Sequence, residues 1–430
     1  MTTQLSQPSP VGWQQLIRVF FNIGVLSFGG PAAQIALMHR MLVDEHQWLS
    51  ERQFLNALSF CMLLPGPEAM QLATYSGWRL KGTAGGLIAG GLFVLPGAVV
   101  ITALSSVYVL AGKVPVVEAV FVGIKAAVLV IVLQALIRIA QRALKRADHR
   151  LIALASFVAI FFLSVPFPII VILSGLIGYF LTSRGQIHEP LASVTTLSAT
   201  MQTAGVWLAL WILPLLALVP LVGSDHLLTR LALFCSQLAV VTFGGAYAVL
   251  SYIAQDVVVH YEWLTATAMM DGLGLAETTP GPLILVTQFV SFLAAFEHGN
   301  PPGLPMAFAG LMVSLWATFM PCFLWIFAGA PYVEKLNQNP RLTAALAAIT
   351  AAVVGVILNL AIWLALHVVF AEVTRQTVGP VQLWRPAFAS VNLDVMLLTT
   401  LSGVLLFRRR WSVPAVLGAS AAGALLLSVL

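Results

Sequence analysis

The chain has 430 residues, 60% of them hydrophobic and only 9% charged, with a mean hydropathy of +0.95 and a formal net charge of +5. Such a composition excludes a soluble globular domain and leaves no reason to invoke nucleic acid, so the basic excess is read through membrane topology. The three cysteines, Cys61, Cys235 and Cys322, lie in apolar stretches without pair spacing, and the eight histidines show no metal spacing. No disulfide, metal site, cofactor or nucleotide-binding loop is expected.

The first dozen residues are polar and lack the basic flank of a secretory signal, so the apolar stretch at 14–37 reads as a retained span. Further stretches near the ~20 residues that cross a bilayer follow at 53–78, 83–111 and 116–137. Two shorter ones, 151–164 and 167–182, read as a helical hairpin bent at "VPFP". A polar Ser/Thr-rich linker (182–202) precedes an unpaired span at 204–223; then come 228–252, 266–295, 304–330, 342–370 and a second hairpin, 394–407 with 412–430. The expectation is an all-α polytopic membrane protein of about thirteen transmembrane segments.

Clusters of basic residues, "RIAQRALKRADHR" (138–150) and "RRR" (408–410), stay cytoplasmic by the positive-inside rule, which puts the N-terminus inside. In that register fourteen Lys and Arg residues fall on the cytoplasmic side and six outside, with Lys125 left within a span. The bias supports this orientation over its inverse.

The chain also repeats itself. "LSFGG" (26–30) returns as "VTFGG" (241–245), "WLS" (48–50) as "WLT" (263–265) and "LLPGP" (63–67) as "TTPGP" (278–282), all at an offset of 215. Beyond a longer loop the offset becomes 225, pairing "IKAAVLVIVLQ" (124–134) with "ITAAVVGVILN" (349–359) and Pro96 with Pro321; the hairpins align at 246 through Asp148 with Asp394 and Pro168 with Pro414. Three units follow: a first repeat over 1–182, the linker and unpaired helix over 183–227, and a second repeat over 228–430. An even number of spans per repeat plus one extra span places the second repeat upside down, the plan of many secondary transporters with midplane sites at broken helices.

The FGG and PGP motifs are the breaks. Proline lacks a donor and clashes with the preceding turn, and glycine permits reversal and close approach. A helix restarting at Pro67 or Pro282 points unpaired N–H groups and its positive dipole end into the break, which favours an anion. Prolines that merely kink spans for packing are the alternative, weakened because the motifs are duplicated. Ser27, Thr242, Gln71, Thr74, Thr279 and Gln288 can hydrogen-bond an oxyanion, though each is also a common interhelical packing residue. Lys125, matched by Thr350 in the second repeat, is a mid-span charge that marks a pathway or pairs with Glu118. The acids are asymmetric. Glu68 follows the first PGP, as helix cap, salt-bridge partner of Lys125 or part of the path; Asp271 and Glu277 precede the second and are the better candidates for proton coupling.

"FFNIGVLSFGGPAAQI", "LPGPEAMQLA", "VTFGGAYAVL" and "TPGPLILVTQFV" together resemble the chromate ion transporter (CHR) family in its long two-domain form, over nearly the whole chain. The resemblance implies chromate export across the bacterial inner membrane, chromate resistance, and sulfate as a close mimic. It carries Phe28, Gly29, Gly30, Pro31, Pro65, Gly66, Pro67, Gln71, Phe243, Gly244, Gly245, Pro280, Gly281, Pro282 and Gln288 as motif positions, to which the residue chemistry adds Ser27, Thr242 and Lys125. Its partners would be a small oxyanion and the lipid bilayer, with a homodimer left open. Uptake or exchange of sulfate shares every one of these features. A membrane enzyme or quinone-binding subunit would need grouped acids or histidines at one interface, which the loops lack.

Overall fold

The computed structural model describes residues 11–112, 114–181, 197–243, 246–332, 340–379 and 381–429. In chain order the helices are α1 (Trp13–Leu26), α2 (Gly30–His39), α3 (Glu51–Cys61), α4 (Glu68–Ala111), α5 (Pro115–Ala143), α6 (Ala147–Phe161), α7 (Phe167–Leu181), α8 (Leu197–Leu216), α9 (Leu218–Val222), α10 (Leu227–Val241), α11 (Ala246–Gln255), α12 (Ala266–Thr278), α13 (Val286–His298), α14 (Leu304–Gly329), α15 (Pro340–Val369), α16 (Leu393–Gly403) and α17 (Val413–Val429). Helices dominate because a bilayer core offers backbone groups no water. Among the described residues five helical segments are long and apolar enough to cross a membrane by length and composition: Glu68–Ala111, Pro115–Ala143, Ser198–Val222, Leu304–Tyr332 and Pro340–Val369. The chain is a polytopic α-helical membrane protein. The linker between the repeats falls largely outside the described residues.

Several expected spans are divided. The stretch at 14–37 is split into α1 and α2, and the one at 53–78 breaks at PGP. Within α4, Lys81 (φ −140°) and Gly82 (φ 62°) leave helical geometry, and the limb 68–80 folds back on the limb 83–111. A Cβ on Gly77 would stand 2.3 Å from the Gly85 carbonyl oxygen, so the two limbs meet backbone to backbone as small residues allow in membranes. The pair α13 and α14 does the same, with Gly310 against Ser291 and Ala295.

The two halves carry the same backbone devices at the sequence offsets. The non-glycine residues with left-handed φ form two pairs among the described residues: Gln47 (53°) with Glu262 (52°), 215 apart, and Ser164 (50°) with Arg410 (55°), 246 apart. π-helical turns occupy Arg40–Glu45 and Asp256–His260. Ser50 and Thr265 each cap the next helix by accepting from the N–H three residues on. The halves also interlock: α6 and α7 pack on α15, while α16 and α17 pack on α5.

One element departs from an all-α chain. Between α15 and α16, strands β1 (Val373–Val378) and β2 (Val381–Pro386) form an antiparallel hairpin, with Arg375 opposite Trp384 and Gln376 opposite Leu383. The β-branched pairs at both ends of "VTRQTV" favour the strand; the apolar periodicity that locates membrane helices carries no signal for it.

Candidate functional site

The breaks are built locally and then joined across the halves. α1 ends at Ser27, whose hydroxyl donates to the Ile23 carbonyl at 2.6 Å; Gly29 (φ 82°) and Gly30 (φ 79°) turn the chain, and Pro31 occupies the first turn of α2. At the first PGP, Gly66 has φ 116°, Pro67 is the N-cap of α4 and Glu68 lies in its first turn. At the second, Gly281 has φ 89°, but α13 does not start at Pro282 as expected: a 3-10 turn, Leu283–Leu285, intervenes. Thr242 closes α10, its hydroxyl donating to Leu238.

The N–H of Gly66 donates to the Thr242 carbonyl at 2.8 Å, and the N–H of Gly281 donates to the Ser27 carbonyl at 2.9 Å. The two donors are 215 positions apart, and so are the two acceptors, so each PGP break is fastened to the FGG break of the other half. These two amides are therefore spent on the protein, which is how broken backbone persists in a membrane. Side-chain amides complete the frame: Gln71 Nε2 donates to the Pro65 carbonyl at 2.6 Å, Gln34 Nε2 to the Gly281 carbonyl at 2.7 Å, and Gln288 Nε2 to Ala98 (2.9 Å) and Thr102 (2.7 Å). Gly97 passes so close to the second break that a Cβ there would meet the Pro280 carbonyl oxygen at 2.1 Å. Its counterpart, Cys322, lies beside Gly66, at 3.2 Å from where a Cβ on that glycine would stand.

A cavity of about 530 Å³ lies beside this frame, lined by Gly29, Gly30 and Pro31 at the start of α2, by Glu68 and Glu277, and by Gln134, Arg138 and Arg142 of α5. Spacing of four residues puts those last three on one face of α5. Glu277 is 3% exposed, and Tyr247 approaches its carboxylate within the same cavity. His39, also lining it, lies between Glu51 (2.6 Å) and Asp44 (3.3 Å); its hydrogen bond to Glu51 and the two negative charges hold its imidazolium above the ordinary histidine range.

Of the expected site residues, the cavity gathers Gly29, Gly30, Pro31, Glu68 and Glu277. Ser27, Thr242, Gly66, Gly281, Pro65, Gln71 and Gln288 make the frame. Pro280 and Pro282 are buried, whereas Phe28, Phe243 and Pro67 are half-buried. Gly244 and Gly245 fall outside the described residues. Lys125 does not line the cavity: its Nζ is 3.2 Å from Asp271 Oδ1, and the Tyr108 hydroxyl donates to Asp271 Oδ2 at 2.9 Å. Asp271, rather than Glu118 or Glu68, holds the mid-span lysine, at 14% and 5% side-chain exposure for the pair. Thr350, the lysine's counterpart, does line the cavity. Sequence reading missed Gln134, Arg138, Arg142 and Tyr247 as site residues, the two arginines counting only as cytoplasmic charge; the available signal was the four-residue spacing in "QALIRIAQR".

The corresponding place in the second half holds a far smaller cavity, about 20 Å³, lined by Ser251 and Ala254 of α11 and by Asn359, Leu360 and Trp363 of α15. These align with Ala36, His39, Gln134, Ala135 and Arg138 of the first cavity at the offsets of 215 and 225.

The family model for the chromate transporter matches residues 14–179 and 229–426. The chain belongs to the chromate transporter family. It is 35% identical over 354 residues to a chromate transport protein of Pseudomonas aeruginosa, covering 81% of this chain and 80% of that one. It is 30% identical to a probable chromate transport protein of Synechococcus elongatus (80% and 82% covered) and 28% identical to a chromate transport protein of Cupriavidus metallidurans (82% of each). No solved structure matches. The two matched segments of this chromate transporter family member leave out 180–228, the expected linker and unpaired helix, and the family places it among multi-pass membrane transporters rather than enzymes.

Proposed function

We propose that the protein exports chromate from the bacterial cytoplasm across the plasma membrane, conferring chromate resistance, as a secondary transporter that alternates access between two inverted repeats. The structure then represents its cytoplasm-open form. One observation carries this reading: corresponding residues of the two halves line one roomy and one constricted cavity, about 530 Å³ against 20 Å³. The roomy one lies at the arginine-rich end of α5, which the positive-inside rule assigns to the cytoplasm. Arg138 and Arg142 draw the anion in, and the start of α2 at Gly30 receives it with the positive end of the helix dipole. The cross-linked FGG and PGP breaks, from Ser27 to Gly30, Pro65 to Pro67, Thr242 to Phe243 and Pro280 to Pro282, hold that site, with Gln71 and Gln288 bracing it.

A carboxylate beside a dianion repels it, so Glu277, with Glu68 across the cavity, makes the flux responsive to protons. Lys125 serves the later part of the path, once its pair with Asp271 opens. A membrane potential is worth about 2.3 kcal/mol per charge per 100 mV, and expelling a dianion from a negative interior gains about twice that, so export needs no other fuel. In everted vesicles with an imposed interior-positive potential, chromate accumulates and excess sulfate tests selectivity. Absence of potential-stimulated accumulation contradicts potential-driven export, and growth on limiting sulfate that depends on the protein would favour sulfate uptake instead.

A further inference from the structure

We propose that the hairpin Val373–Pro386 is the outer gate of this transporter and that Arg375 on it receives the oxyanion as the gate opens. The proposal rests on the exporter reading above. It starts from an asymmetry in the repeat. The first half passes from α5 to α6 through residues 144–146, whereas the second inserts 370–392 between α15 and α16, and this insertion is what moves the offset from 225 to 246. The extra segment falls on the closed cavity: Arg375, Gln382 and Trp384 line it together with Ser251 and Asn359. The corresponding link of the first half, residues 144–146, does not line the larger cavity.

The hairpin is fastened to the loop between α6 and α7 of the first half. The Gln382 N–H donates to the Phe162 carbonyl at 2.7 Å, the Ser164 hydroxyl donates to Gln382 Oε1, and Arg375 Nη2 donates to Ser164 Oγ at 3.2 Å. Inside, Trp384 meets the edge of His367 at 5.3 Å, and Asn359 Nδ2 donates to Ser251 at 3.2 Å. What remains, about 20 Å³, suffices for roughly one water and for no oxyanion. The hairpin is thus anchored at its base to its own half, where Ala387 N–H donates to the Glu372 carbonyl, and meets the first half through a few hydrogen bonds at one loop, which suits an element that opens and closes repeatedly.

The chemistry of the two cavities points the same way. Where the open cavity has Gln134 and Arg138, the closed one has Asn359 and Trp363, so an amide is kept and the cation is lost from the helix. Arg375 supplies a cation from the hairpin instead. It lies 5.7 Å from the Trp384 ring centroid, and among the described residues no carboxylate pairs with it. A planar guanidinium of this kind matches an oxyanion in bidentate fashion.

The test uses the full chain in membrane vesicles. With cysteines at Ser164→Cys and Gln382→Cys, oxidation or a short bifunctional thiol reagent ties the hairpin to the loop; the linked form is verified by mass. The expected result is at least a tenfold loss of chromate flux relative to the same double-cysteine protein kept reduced, recovered on reduction or reagent cleavage. A verified linked protein that transports at the wild-type rate overturns the gate. In parallel, Arg375→Ala should raise the half-saturating chromate concentration about tenfold for anion added at the outer face, leave the cytoplasmic-face value unchanged, and be rescued in part by Arg375→Lys. An equal shift at both faces, or none, overturns the role of Arg375. If wild type itself moves no chromate, the exporter reading falls first and is recognised as such by that control.

Discussion

The cavity between α2 and α5 and its counterpart between α11 and α15 are made from corresponding residues, yet one holds about 530 Å³ and the other about 20 Å³. Backbone devices match on both sides, from the paired left-handed residues to the reciprocal bonds of Gly66 to Thr242 and Gly281 to Ser27. The side chains do not: Ala254 stands where the first half has His39, Trp363 where it has Arg138, and Ser251 where it has Ala36. The matching backbone devices thus form a shared frame, and differences at a handful of lining positions, plus the hairpin, give each cavity its own charge.

The largest expected effect comes from the frame itself. Gly97→Val would drive a side chain into the Pro280 carbonyl, whereas Cys322→Ala at the matching position removes only one sulfur; the first should abolish flux, by at least ~100-fold, and the second should leave it within twofold in the same vesicle assay. Gly281→Val should also abolish flux, since its φ of 89° costs a β-branched residue about 1–3 kcal/mol.

Next is the buried pair. Lys125→Ala leaves Asp271 without its cation, a loss of about 3–5 kcal/mol for such a site, and should end transport even in protein that reaches the membrane. If the lysine serves the anion, Lys125→Ala with Asp271→Ala recovers folding, read by thermal denaturation in detergent, without recovering flux; full recovery of flux would reduce the pair to a structural one.

Charge at the open cavity has a smaller effect. Arg138→Ala should lower chromate flux about tenfold at subsaturating concentration, and less at high salt, because the residue attracts the anion over a distance that salt screens. Glu277→Gln should keep potential-driven flux within about threefold while removing its response to a pH gradient, if the carboxyl is the proton-responsive group. The smallest effect belongs to His39. Its raised pKa means that the stabilising pair with Glu51 is fully present below the ordinary histidine value and is lost as pH rises through the folded-state value. His39→Gln should therefore differ from wild type by under twofold in flux, with the difference seen on the acid side and absent at alkaline pH.

Much of this architecture is legible in the sequence because short motifs and apolar runs are local signals. The offset of 215 locates all four breaks, and glycine and proline chemistry explains why the chain turns there. Contact partners are not local. Nothing in the sequence near Lys125 announces Asp271, far along the chain and in the other half, when Glu118 lies one helical stretch away. Arg138 and Arg142 satisfy the positive-inside rule whether or not they face a cavity, so only the placement of α5 across that cavity from α2 reveals their second role. The hairpin is hidden for another reason: its strands are short, polar on one side and outside any apolar window.

The most direct measurement is radiolabelled chromate flux by purified protein in liposomes, with membrane potential and pH gradient imposed independently. The account predicts that chromate moves toward the positive compartment in proportion to the potential even without a pH gradient, and that sulfate competes for the same path. Liposomes that move no chromate under either gradient, with protein shown to be folded and inserted, would contradict it.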